Sequence, residues 1–183
     1  MTTRQHKVQS GPGQAAAAAK IFAANDRINQ TLMEELDPAV WNAKPPGGVR
    51  TIAAIFTHMH NVRTKWIRLN APHLKVPAQL DRAKCTAKQA RAGLARSAEG
   101  CAEMLAEALG GEGRIKEFLR DGFARPWPVG PEMLSYMMAH EAHHRGQVCM
   151  IAHQLGYKLP NRVTSELWNW EKLLKDRGPS LQS

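Results

Sequence analysis

The segment PEMLSYMMAHEAHHRGQVCMIAHQL, residues 131–155, decides how the rest of this 183-residue sequence is interpreted. Pro131 is a favourable first-turn residue of a helix, and Gly156, directly after the segment, is a favourable helix end. Apolar side chains recur between these ends at helical spacing. They are Met133, Met137, Val148, Ile151 and Leu155. The pattern predicts one long helix, from Pro131 to Gln154 or Leu155, with an apolar stripe that faces a protein core.

Three other segments carry the same helical pattern and predict the partners of this helix. They are residues 14–36, 51–70 with Thr51 as the N-cap, and 86–109. A short amphipathic segment at 114–123 leads into a proline-rich connector, and residues 165–176 predict a short C-terminal helix. No segment predicts a convincing strand. Four long helices joined by loops of different length are typical of an all-α four-helix bundle.

Composition and termini limit the protein class. We expect a flexible leader at residues 1–13, a single domain at 14–176 and a tail at 177–183. The leader has no apolar run typical of a signal peptide or membrane helix. The three cysteines lack a C-x-x-C spacing, which favours reduced thiols and a cytoplasmic location. The net charge of +9 permits nucleic-acid binding, but the basic residues are scattered without a recognition motif, which favours a solvated surface.

Two histidines of the fourth helix point toward the core. On a helix that advances about 100 degrees per residue, His140 and His144 lie within the apolar stripe. A single core histidine is usually a hydrogen-bonded structural residue. Two imidazoles stacked one turn apart are harder to satisfy in this way, because each must find partners for two nitrogens. A metal ion that binds one nitrogen of each ring removes this difficulty.

The second predicted helix offers the third ligand. Its sequence TIAAIFTHMHNVRTKWIRL, residues 51–69, has a broad apolar arc centred near Met59. His58 and His60 lie about 100 degrees to either side of that centre. The helical spacing therefore predicts a third ligand on this helix but does not choose between the two.

His140, Glu141 and His144 also spell H-E-x-x-H, the zinc-protease motif in which the glutamate is the general base. The longer metzincin pattern fails, because it needs glycine and histidine where this chain has Gln147 and Met150. No strand is predicted that would hold an extended peptide. The protease hypothesis is therefore weak.

Both histidine segments resemble those of the DinB/YfiT-like family. In that family a histidine late in an S/T-I-x-x-x-L-x-H-I segment of the second helix joins two from an H-x-x-x-H-R-G-Q segment of the fourth. Here the segments read TIAAIFTHM and HEAHHRGQ, and the resemblance covers residues 15–170. It implies that His58, His140 and His144 are the ligands. His60 and His143 lie outside the shared pattern and are expected as polar residues near the site mouth.

The resemblance implies further properties. The fold would be an up-down-down-up four-helix bundle, here with its short extra C-terminal helix. The ion would be divalent, such as zinc, nickel, iron or manganese, and members of the family are often homodimers. Some related proteins use a low-molecular-weight thiol as cosubstrate to transfer or isomerise groups on small molecules.

Three neutral histidines leave an ion with open coordination positions, which is typical of a catalytic site. Near it we expect Gln147 to hydrogen-bond a ligand or the substrate, Arg63 to meet an anionic substrate or reach the rim, and Glu141 to act as a base. The leading hypothesis is a metal-dependent transferase or hydrolase. The alternatives are a non-catalytic module that binds a metal or small ligand, the metalloprotease, and a nucleic-acid binder.

Overall fold

The structure, a computed structural model, describes residues 12–111, 113–123 and 125–175. Helices dominate this part of the chain, and two two-residue strands pair antiparallel in the connector before the fourth helix. The elements are α1 (Pro12–Glu35), α2 (Ile52–Asn70), α3 (Ala87–Leu109), β1 (Glu117–Phe118), β2 (Trp127–Pro128), α4 (Pro131–Gln154), α5 (Asn161–Trp168) and α6 (Trp170–Lys175). The prediction of an all-α protein is confirmed.

Threonine side chains fix the starts of the two middle helices. Thr51 accepts a hydrogen bond from the backbone N–H of Ala54, as predicted for the cap of α2. Thr86 and Gln89 form a reciprocal capping box at the start of α3. Each cap satisfies backbone donors that the first helical turn leaves without partners. The beginnings of α2 and α3 are therefore dictated locally by sequence.

Pairs of contacts between helices give the direction of each helix. Gly93 lies against His60, and Gly100 lies against Ile67, so α2 and α3 run parallel. In contrast, α1 and α3 are antiparallel, because Glu34 pairs with Arg91 near the start of α3 while Ala15 lies by Gly110 at its end.

Contacts between α2 and α4 complete the arrangement. His58 lies against His144, and Trp66 lies against Tyr136, so these two helices are antiparallel. The four helices form a ring in the order α1, α3, α2, α4, with α1 and α2 on opposite corners. This is the up-down-down-up bundle that the family resemblance implied.

The core consists of two large apolar clusters separated by a polar layer, and a third, smaller cluster lies where α6 packs on α1. One cluster contains Leu32, Phe56 and Val148, and the other contains Phe22 and Met137 with their neighbours. Between them α1, α2 and α4 contribute buried charged and amide side chains. They are Asn25, Asp26, Asn29, Arg63, Glu141 and Arg145. The bundle is therefore held by an internal ion network as well as by apolar packing.

Some boundaries differ from the sequence predictions. Helix α1 begins at Pro12, two residues inside the predicted leader, while residues 1–11 and 176–183 lie outside the described part of the chain. The predicted C-terminal helix is two helices, because Asn169 leaves helical geometry and its side chain accepts a hydrogen bond from the N–H of Lys172. Within the described ranges, no helix is both long and apolar enough to cross a membrane.

Replacing the α2 cap tests this local account. We expect Thr51→Ala to lower the free energy of unfolding by about 1 kcal/mol, because the N–H of Ala54 loses its acceptor. Thr51→Ser keeps the hydroxyl and should retain most of the stability. Urea denaturation of the three proteins measures the difference. Equal losses in both variants would show that the hydroxyl does not act as a cap.

Candidate metal centre

Three histidines from α2 and α4 converge at one side of the bundle. Each of His58, His140 and His144 offers a ring nitrogen, and these atoms lie within 4.8 Å of one another. The His58 ring centroid is 5.4 Å from that of His140 and 4.8 Å from that of His144. His58 and His140 are half-buried and His144 is buried. The structure thus brings together the three residues that the family resemblance implied as ligands.

The spacing of the nitrogens suits a first-row transition metal. The Nε2 atoms of His140 and His144 are 3.2 Å apart. Two imidazole nitrogens bound to tetrahedral zinc at about 2.1 Å each would be separated by about 3.4 Å. The 4.8 Å limit for the whole set is longer than this, so the three rings would draw together by about 1 Å around an ion. The donor set, three imidazoles, is one that zinc, nickel and iron accept.

His58 and His60 differ in their hydrogen bonding. The Nδ1 atoms of His58 and His140 are buried and have no hydrogen-bond partner among the described residues. His60 instead bonds through both nitrogens, to the hydroxyl of Ser97 at 3.1 Å and to the carbonyl of Ala78 at 2.9 Å. His60 is therefore a satisfied core residue that anchors the loop before α3. Its predicted position near the site mouth is wrong, because it lies on the α3 side of α2.

The environment keeps the three rings neutral near pH 7. Burial, reinforced by the charge of His144, lowers the pKa of His58 to about 3. Burial together with His144 lowers the pKa of His140 to about 4, and burial also lowers the pKa of His144. An unprotonated imidazole is the form that ligates metals.

Gln147 fixes the orientation of the His144 ring. Its Oε1 lies 2.7 Å from Nδ1 of His144, one helical turn away on α4. A carbonyl oxygen only accepts, so His144 carries its proton on Nδ1 and leaves Nε2 unprotonated toward His140. This contact accords with the expectation that Gln147 hydrogen-bonds a ligand. His143, as expected, is exposed at the site mouth, with its ring centroid 5.1 Å from that of His144.

An aromatic wall closes the site behind His140. The indole of Trp66 meets the His140 ring edge to face at 5.4 Å, and Tyr136 contacts Trp66 in the same manner at 6.1 Å. Phe118 and Trp127 of the small strand pair pack behind Tyr136. The wall shields this side of the histidines from water, so access to them is from the side of Gln147 and His143.

Glu141 and Arg63 lie inside the bundle and bind each other. Arg63 donates from Nε to Oε1 of Glu141 at 2.6 Å and from Nη2 to Oε2 at 2.7 Å, a two-pronged ion pair between α2 and α4. Its Nη1 donates to Asp26 at 2.7 Å. The side chains of Arg63 and Glu141 are both 0% exposed. Two-pronged pairs of this kind fix geometry as well as charge.

Two side-chain amides of α1 complete the hydrogen bonding of Glu141. Asn25 and Asn29 donate to its Oε2 at 2.6 and 2.8 Å. Arg145 donates in turn to the Oδ1 atoms of both asparagines. Burial alone would raise the pKa of Glu141, but the charge and hydrogen bonds of Arg63, with the bond from Asn29, hold it below its usual value. The carboxylate is thus ionised and fully hydrogen-bonded.

These contacts correct the roles predicted for Glu141 and Arg63. A general base must have a lone pair directed at the reacting water, whereas the oxygens of Glu141 accept four hydrogen bonds away from the histidines. Glu141 is therefore not available as the general base that the metalloprotease hypothesis requires. Arg63 does not reach the rim or a substrate. The sequence signal that we missed is the inner face of α1, where Asn25, Asp26 and Asn29 recur at helical spacing beside apolar neighbours.

A substitution separates this structural role from a catalytic one. Glu141→Gln should lower the free energy of unfolding by about 3–5 kcal/mol, because the buried Arg63 guanidinium keeps only Asp26 as a counter-charge. Replacing the pair with apolar residues, as Arg63→Met with Glu141→Leu, should recover only part of this loss, because Asp26 and the two asparagines of α1 then lose their partners. Urea denaturation measures both. The control Glu171→Gln, in an exposed pair with Lys175, should not change stability measurably. Unchanged stability of Glu141→Gln would contradict the role given to the network.

Comparisons with known proteins agree with the geometry. The sequence profile of the DinB family matches residues 12–172, which include all four long helices and the three histidines. Comparison with curated proteins and with solved structures gave no significant match. The profile covers well over half of the sequence, and the bundle and the histidine positions agree with the resemblance in the sequence. The chain belongs to the DinB family.

Proposed function

We propose that the protein is a divalent-metal-dependent enzyme acting on a small molecule, with His58, His140 and His144 as the metal ligands. The observation that carries the proposal is the convergence of three neutral imidazoles from two helices, with a ring nitrogen of each within 4.8 Å of the others. His60, in contrast, uses both ring nitrogens in hydrogen bonds, as core histidines normally do. The family membership fits the same assignment.

The chemistry follows from the ligand set. A divalent ion held by three neutral ligands keeps its double charge, and it would lower the pKa of water or of a low-molecular-weight thiol enough to supply a nucleophile for hydrolysis or transfer. Zinc or nickel is our first expectation, with iron and manganese as the other candidates. Gln147 orients one ligand ring, and Trp66 excludes water from behind another.

Reaction on a small molecule is favoured over peptide hydrolysis by an H-E-x-x-H mechanism. Glu141 has no free lone pair to serve as a protease base, as its four hydrogen bonds show. The open side of the site carries two exposed polar side chains of α4, His143 and Gln147. Screening the metal-loaded protein with thiols and electrophilic acceptors, and separately with simple esters, tests transfer against hydrolysis. Absence of turnover in both screens, with metal bound, would favour the non-catalytic binding module.

Metal content tests the ligand assignment. Protein purified without a nickel column should bind about one divalent ion per chain, and His58→Ala, His140→Ala and His144→Ala should each lose it, because two imidazoles hold an ion much less tightly than three. Equilibrium dialysis with metal analysis gives the stoichiometry. The control His73→Ala changes an exposed histidine paired with Glu107 and should bind normally. Full retention by the three site variants would refute the assignment.

The contact between Gln147 and His144 predicts a smaller effect. Gln147→Ala should weaken metal binding by about 10–100-fold, because the His144 ring loses the acceptor that fixes its tautomer. Gln154→Ala, two turns further along the same helix, serves as the control and should bind like the wild type. Competition with a chromogenic chelator measures the affinities. Equal affinity of Gln147→Ala and wild type would mean that the contact does not orient a ligand.

A further inference from the structure

An open cleft of about 760 Å³, lined in part by His143 and Gln147, lies between the loop before α2 and the exposed face of α4. Its size is that of sites that hold small organic molecules. Val49, Ile55, Met150 and Ile151 supply apolar surface, while Arg50, His143 and Gln147 supply polar groups. Met150 is 60% exposed, which is unusual for a large apolar residue on a helix that otherwise packs into the bundle. The cleft is therefore largely apolar, with a small number of polar groups.

Arg50 is the cationic group of this cleft. It is exposed, and none of the hydrogen bonds or ion pairs found among the described residues uses its guanidinium. It lines the same cleft as Gln147, whose side chain contacts His144. A guanidinium without a protein partner beside such a site is suited to bind an anionic group.

Gly146 forms part of the α4 wall of the cleft. It stands on the helix between Arg145, which is buried, and Gln147, which is exposed. A Cβ atom built at this glycine meets no other atom within 4 Å. A glycine inside a helix costs about 1 kcal/mol relative to alanine. Neither packing nor backbone geometry requires this glycine, whereas its missing side chain widens the cleft next to Gln147.

We propose that this cleft is the substrate-binding site, and that the substrate is a small molecule with an anionic group bound by Arg50 and an apolar part seated on Ile55, Met150 and Ile151. That the bound molecule is a substrate rests on the proposed function, whereas its binding in the cleft does not require the metal. The anionic group directs the molecule, and the apolar surface contributes the burial energy. Gly146 leaves the space in which the molecule lies.

The charge requirement is tested with hexanesulfonate, whose sulfonate is a poor metal ligand, and with the neutral probe 1-hexanol. Calorimetric titration of wild type should show hexanesulfonate binding more tightly than both 1-hexanol and inorganic sulfate. Arg50→Gln should lower the affinity for hexanesulfonate by about tenfold and leave the affinity for 1-hexanol unchanged. Lys44→Gln removes the same charge from the same loop outside the cleft and should have no effect. Equal affinities of Arg50→Gln and wild type for hexanesulfonate would overturn the proposal.

The shape requirement is tested at Gly146. Gly146→Leu should weaken both organic probes by at least tenfold, because its side chain occupies the cleft, while Gly146→Ala should change binding by less than about threefold. Thermal melting should show both variants folded and no less stable than wild type, since both residues are better helix formers than glycine. Unaltered probe binding by a folded Gly146→Leu protein would place the probes elsewhere and refute the cleft assignment.

Measuring the titrations with and without a chelator separates the two proposals. Metal content of each variant is determined independently. If the wild type binds no metal but the Arg50 and Gly146 effects appear, the cleft assignment stands and the proposed enzymatic function fails. If metal is bound normally and neither substitution affects the probes, the cleft assignment fails and the metal centre stands.

Discussion

The ion pair between Arg63 and Glu141 is the constraint on which the rest of the bundle depends. It crosses from α2 to α4 with two hydrogen bonds, and both side chains are removed from water. Burying two charges is costly, and a pair of well-packed apolar residues would often be as stable. What the pair supplies is a unique register. Glu141 directly follows His140, so fixing it against Arg63 also fixes where His140 lies relative to His58.

The same register explains how the buried side chains of α4 serve two purposes. Glu141 and Arg145 point toward α1 and the internal network, while His140 and His144 point toward His58 on α2. The histidines therefore lie at the edge of the buried face, shielded by Trp66 on one side and open on the other. A site at that position is partly dehydrated and still open on one side. In the proposed function the open side, near Gln147 and Arg50, is the entrance.

Much of the fold could be predicted because its signals are local. The start of α2 follows from the Thr51 hydroxyl, and the limits of α4 follow from Pro131 and the residues before Gly156. The division between α5 and α6 could not be predicted, because an asparagine such as Asn169 is compatible both with a continuous helix and with the cap of a new one. The strand pair is only two residues on each side, too short for an alternating pattern to appear in the sequence.

The three-histidine cluster was partly predictable for a similar reason. Helical spacing placed His140 and His144 together, and only the family resemblance preferred His58 to His60. The structure gives the physical difference, since His60 has two hydrogen-bond partners and His58 has a buried nitrogen with none among the described residues. The burial of Glu141 was missed because a carboxylate enters a core only with a partner, and that partner, Arg63, lies 78 positions earlier in the chain.

The most direct test of this account is anomalous diffraction from crystals of the metal-loaded protein, recorded at the absorption edge of the added ion. We expect one strong peak per chain, about 2.1 Å from a ring nitrogen of each of His58, His140 and His144. A peak bound elsewhere, or one that leaves His58 beyond coordination distance, would contradict the assignment of a three-histidine metal centre.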